Sequence, residues 1–155
     1  MLRDAPNAHV ALMFNKAWRW LTAQLGGKPP DQLRLRVHRD PKYPSSWLPV
    51  YTLGQQPRLE IQIYLEADNE AAAPCWIAAA EIAGAPMVKT VIGVRDAKTG
   101  TFAADNPLPP RHLSTVSLHF LVDGPPPLVG EPFDALVILT DHAGARHSVK
   151  VTMHE

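Results

Sequence analysis

Sixteen prolines in 155 residues constrain the fold of this chain more than any other feature. Proline lacks a backbone N–H and fixes φ, so it breaks helices and is confined to the ends and edges of strands. The prolines cluster at Pro29-Pro30, at Pro41, Pro44 and Pro49, at Pro107, Pro109 and Pro110, and at Pro125-Pro126-Pro127 with Pro132. Between the clusters lie short runs rich in β-branched and aromatic residues. They predict strands near 33–38, 59–66, 75–82, 88–95, 115–122, 134–141 and 147–153. Such a series predicts an all-β fold, a two-sheet antiparallel sandwich over residues 31–155.

Residues 1–30 read differently, as an N-terminal helix and linker. Asn7 caps a predicted helix over about Ala8–Leu25, stopped by Gly26-Gly27 and Pro29-Pro30. Val10, Met13, Phe14, Ala17, Trp18, Leu21 and Leu25 form its apolar face. Leu12 and Trp20 flank Lys16 on the other side, either packed on the sandwich or exposed as a partner-binding patch. Val10, Leu12 and Phe14 also alternate, so a strand over 9–14 stays open.

The formal net charge is zero, but it is unevenly laid out. Residues 1–58 carry nine basic and three acidic side chains, and residues 59–155 carry six basic and twelve acidic ones. In Leu33-Arg34-Leu35-Arg36-Val37-His38, the arginines and His38 alternate with apolar residues. In Leu59-Glu60-Ile61-Gln62-Ile63-Tyr64-Leu65-Glu66, the glutamates do the same. Paired side by side, the two strands would set arginine against glutamate, at about 0.2–1 kcal/mol per pair. The functional alternative is a free stripe of Arg34, Arg36 and His38 that meets an acidic protein surface. That stripe has no interleaved aromatics, so nucleic acid is not expected as a partner.

Tyr43, Trp47 and Tyr51 share the connection between those strands. Folded down, they plug one end of a sandwich; exposed, they make a stacking platform for a sugar. The single cysteine, Cys75, excludes a disulfide framework and lies in the apolar context Pro74-Cys75-Trp76-Ile77, as a buried thiol would. Gly-rich phosphate loops and nucleophile-elbow serines are absent, so no catalytic residue and no cofactor is nominated.

Seven histidines raise the question of metal. The best pair is His142 and His147, which would face each other if a four-residue loop separates them. Leu136, Ile138 and Thr140 would then share a face with Val149, Val151 and Met153, and Asp141 would take the opposite face. Two ligands fall short of the three or four of a tight zinc site. A stacking or turn-stabilising role is the competing reading.

The run Glu131–Val151, with its Thr140-Asp141-x-x-Gly144 turn, resembles the closing hairpin of bacterial immunoglobulin-like domains. The resemblance implies an immunoglobulin-like sandwich whose usual role is adhesion, spacing or protein contact. The expected function is therefore non-enzymatic: a protein-interaction or scaffolding module of a larger bacterial assembly. A carbohydrate-binding module and a metal-binding sandwich are the alternatives. The first residues do not read as a signal peptide, and Ala71–Val88 is too broken by prolines and charge to span a bilayer. The default expectation is a cytoplasmic protein.

Overall fold

The computed structural model describes residues 32–102, 105–124 and 131–154. The chain divides into two compact units, Met1–Gln32 and Leu33–Glu155, and the fold is that of the second. The expected N-terminal helix, with Leu12, Lys16 and Trp20, lies outside the described residues.

Nine strands follow in order: β1 Leu33–Val37, β2 Ser46–Val50, β3 Arg58–Asn69, β4 Cys75–Ile82, β5 Met87–Asp96, β6 Pro107–Leu108, β7 His112–Asp123, β8 Phe133–Asp141 and β9 Arg146–Met153. No helix occurs among the described residues. Two antiparallel sheets form. The first has the order β1-β3-β7-β5, with β2 also paired to β3, and the second has the order β6-β4-β8-β9. β1 pairs with residues 65–69 of β3 and β2 with residues 58–62, so the two short strands share one long partner.

All seven runs expected from the sequence are strands. The two missed strands, β2 and β6, both contain proline. Among the described residues Pro49 and Pro107 sit on strands with one ladder partner each, so the missing N–H breaks no second ladder. The same residue that argues against a strand in general is thus compatible with an edge strand.

Strict alternation places Leu59, Ile61, Ile63, Leu65 and Ala67 of β3 inward, against Val116, Leu118, Phe120 and Val122 of β7. Ala80 and Ile82 of β4, Ala135, Val137 and Leu139 of β8, and Val151 and Met153 of β9 complete the core. Trp47 is 1% exposed, the largest of the fully buried side chains. Its backbone N–H donates to His154 O at 3.2 Å, tying β2 to the chain just beyond β9.

The closing hairpin corrects one expectation. Thr140 pairs with Arg146 and Leu139 with His147. Asp141 N–H donates to Ala145 O and Gly144 N–H to Asp141 O. The turn therefore closes around residues 142–144, with Gly144 at φ 83°, a conformation that favours glycine. The pairing is offset from the expected one by an odd number of residues, and a side-chain period of two then exchanges the faces. Ala135, Val137 and Leu139 are buried, whereas Leu136 is 46% exposed.

Candidate functional site

The outer face of the first sheet carries a recess. Glu60 and Gln62 of β3 lie opposite Leu121 and His119 of β7, and these lie opposite Lys89 and Val91 of β5. Three adjacent strands thus bring six side chains from three distant parts of the chain onto one surface. Glu60, Lys89, Val91, His119 and Leu121, with Phe120 beneath, line a groove of about 400 Å³. Val91 is 48% exposed. Glu60 and Lys89 stand on opposite sides of Leu121, and neither has an ion partner among the described residues.

One end of this groove is rigid. Gln62 Nε2 donates to the Tyr64 hydroxyl and lies 3.0 Å from His119 Nε2. An amide nitrogen donates, so in this arrangement His119 Nε2 is the acceptor. The Tyr64 ring lies 5.2 Å from Tyr43, which in turn lies 4.5 Å from His38. His38 Nε2 is 3.2 Å from Thr115 Oγ1, which closes the row. A polar and aromatic row thus crosses the sheet and fixes the groove's rim in place.

Further along the face, Gly93 makes a bare seat. A Cβ there would come within 2.7 Å of Ser117 Oγ and 3.3 Å of the Phe102 ring. Phe102 covers this seat, with the Arg95 guanidinium 4.1 Å above its centroid.

The arginines expected on β1 are present, and they are paired. Arg36 lies opposite Glu66 in the β1–β3 register and forms an ion pair with it; Arg34 reaches Glu70 at 3.2 Å. Burial pushes the Glu66 carboxyl up, but Arg36 and the Arg39 N–H outweigh it and hold the group below its ordinary range. His38 is engaged by Tyr43 and Thr115. The free basic stripe is therefore corrected to internal pairing, and the charge imbalance along the sequence is partly neutralised across this sheet.

The aromatic platform is corrected as well. Trp47 points into the core, opposite Ile61 in the β2–β3 pairing, because alternation along β2 turns its ring inward. Tyr51 is 73% exposed, and Tyr43 packs at a tilt between His38 and Tyr64. The three rings do not share a surface, and a buried Trp47 cannot stack on a sugar.

The alternative of a histidine chelate lacks its geometry, and the two rings take up aromatic and turn contacts instead. His142 lies edge-on to Trp76 at 5.3 Å, and its Nδ1 accepts from Trp76 N–H at 3.3 Å. His147 Nε2 contacts Asp141 Oδ2 at 3.0 Å, so Asp141 serves the turn and lies on the side of His147, contrary to expectation. Asp141 also accepts from Ala143 and Ala145 N–H, each at 2.9 Å. Burial raises its carboxyl, but the bonds from His147 and the turn amides prevail and keep it low. Among the described residues no group of three or more His, Cys, Asp or Glu is placed to hold a metal. Cys75 is half-buried, and burial, with the nearby Asp141 charge, pushes its thiol up, away from the reactive thiolate.

A second acid anchors the far end of β5. Asp96 accepts from Thr99 and Lys98 N–H at 2.7 and 2.9 Å and meets His112 Nε2 at 2.6 Å. The Thr99 amide above all, then the Lys98 amide and His112, lower its carboxyl to about 2. A depressed carboxyl stabilises the fold above its unfolded value of 3.8, and that contribution fades as pH falls toward 2. Melting temperatures of the wild type and Asp96→Asn, measured from pH 6 down to pH 2, are expected to differ most at the upper end and to converge as pH approaches 2.

Sequence reading missed the groove because it nominated residues one segment at a time. A signal was present: Val91-Ile92 and Phe120-Leu121-Val122 are unbroken apolar runs in strands that otherwise alternate, so one residue in each faces outward.

The sequence matches no family model and no curated protein. Among solved structures, the copper-bound PCuAC domain from PmoF2 is similar with a TM-score of 0.46 and 12% identity, over 79% of this chain and 92% of that one. The apo PmoF2 PCuAC domain gives a TM-score of 0.47 and 13% identity, over 79% and 90%.

Proposed function

We propose that this β-sandwich is a non-enzymatic protein-interaction module that receives a partner on the outer face of its first sheet. The groove among Glu60, Lys89, Val91, His119 and Leu121 carries the reading. Water-exposed apolar side chains beside two unneutralised charges of opposite sign suit a polypeptide with apolar and charged residues. The rim is held by the Gln62–Tyr64–His119 bonds, so little ordering is needed on binding.

The strand order supports an immunoglobulin-like assignment. The constant-domain arrangement sets its first, second, fourth and fifth strands in one sheet and its third, sixth and seventh in the other. Leaving aside the short β2 and β6, the order here is β1, β3, β5 and β7 against β4, β8 and β9. Among the described residues no helix is long and apolar enough to cross a membrane.

A photo-crosslinker placed at residue 91 is expected to trap a discrete partner from native lysate, whereas one at residue 136, on the other sheet, traps none. Excess unlabelled wild type should compete the product away, and Val91→Glu should not. Equal products from both positions, or equal competition by Val91→Glu, would overturn the assignment.

The metal-binding alternative starts from His142 and His147. One of the similar solved structures is a copper-bound domain. In this chain the two imidazoles have separate partners, Trp76 and Asp141. Titration with copper or zinc ions, followed by histidine ring shifts, is expected to leave the two residues responding independently. A joint response at equal metal would favour the chelate over the interaction module.

A further inference from the structure

We infer that the partner is taken up as an added β-strand along the open half of β5, with an acidic side chain against Lys89 and an apolar one against Val91. The inference rests on the proposed interaction face and names its mode of binding. Among the described residues β5 is the last strand of the first sheet, and β7 is its one strand partner. Its free edge is closed unevenly. Asn106 Nδ2 donates to Ile92 O at 3.1 Å, and Asn106 Oδ1 accepts from Val94 N–H at 3.1 Å. This one side-chain amide takes the place of a peptide unit on a neighbouring strand. Asp96 N–H then donates to Thr101 O at 3.0 Å, which closes the end.

These bonds also fix which backbone groups face outward. Ile92, Val94 and Asp96 point away from β7, and alternation gives Thr90 the same direction. Thr90 lies beyond the reach of the Asn106 clamp, between the two groove residues Lys89 and Val91. A bulge between Met87 and Lys89 ends the open stretch on the other side. An extended segment adding here would bond to Thr90 through its backbone and lay alternate side chains beside Lys89 and Val91.

Charge selects the occupant. Lys89 has no ion partner among the described residues, so a carboxylate opposite it is favoured. A second copy of this chain fits worse. Antiparallel pairing of two β5 edges about Thr90 would place both Lys89 ammonium groups on one face at diagonal positions. The occupant is therefore an extended acidic–apolar segment of another protein.

The test uses the full chain and a synthetic ten-residue peptide that alternates glutamate with valine, with a lysine–valine peptide as control. Amide exchange read by NMR is expected to slow at least tenfold at Thr90 with the glutamate peptide and to change little with the lysine peptide. Lys89→Glu should reverse that preference. In Asn106→Ala, where the clamp is gone, the glutamate peptide should extend protection to Val94. Peptide-induced shifts at His119 and Leu121 without protection of Thr90 would overturn strand addition and leave the interaction face standing. No response at either place would overturn both. Protection of Thr90 that appears on raising protein concentration alone would make the occupant a second copy and overturn the acidic segment.

Discussion

Replacing Asn69 by leucine is expected to cost about 2–4 kcal/mol of folding stability, because three hydrogen bonds are lost, one of them inside the protein. Asn69 closes β3 and is 1% exposed. Its Nδ2 donates to Ala73 O and to Leu108 O, both at 3.0 Å, and its Oδ1 accepts from Ala71 N–H at 3.1 Å. Leu108 belongs to β6 in the second sheet, so this one side chain links the sheets and also shapes the turn after β3. Leucine has similar volume but would leave the buried Leu108 carbonyl without a partner, and would free the Ala73 carbonyl and the Ala71 N–H at the half-exposed turn. Aspartate would be no better at neutral pH, since a carboxylate would face two carbonyl oxygens. Urea unfolding should show a lower midpoint with an unchanged slope for the leucine variant. The aspartate variant should recover partly in mild acid, when its protonated carboxyl can donate one bond. Wild-type stability in Asn69→Leu would show that these bonds do not hold the sheets together.

Trp47→Ala is expected to cost about 3–5 kcal/mol, the usual range for emptying a large aromatic site in a core. The ring fills the space under β2, and deleting it also loosens the link from β2 to His154. Trp47 Nε1 has no hydrogen-bond partner among the described residues. Trp47→Phe removes that stranded donor while keeping most of the ring, so its loss should be well under half that of alanine. Paired urea melts of the two variants measure the difference. An exposed ligand-stacking tryptophan would give near-zero changes for both.

The two variants probe elements of contrasting legibility. β3 and β7 were readable because alternation is a local property: each residue from Leu59 to Glu66 faces away from its neighbour whatever the rest of the chain does. The charge pattern of β1 and β3 was readable for the same reason, and Arg36 meets Glu66 as the alternation implies. Trp47 was ambiguous. A proline-bounded segment with three aromatic residues is compatible with a platform as well as with the commoner plug, and only pairing with β3 turns the ring inward. Asn69 carried no signal at all, because an asparagine near a turn is ordinary until Leu108 is brought beside it.

The hairpin of β8 and β9 shows how little separates a correct element from a correct site. Both strands were expected within a residue or two, yet the loop between them was not. An odd offset exchanged the two faces, put Leu136 outside, and parted His142 from His147. Glycine at residue 144 tells that a turn is present; the register comes from packing Val137 and Leu139 against the opposite sheet.

Local pattern is enough to mark the described chain as all-β, to place seven of its strands, and to let the arginines of β1 and the glutamates of β3 neutralise one another. Periodicity and proline placement are short-range, so they survive without knowledge of the fold. The tertiary structure alone decided that β7 lies between β3 and β5, and this adjacency makes the groove. Strand order is settled by which long apolar faces bury one another, a contest among segments tens of residues apart that no local pattern records.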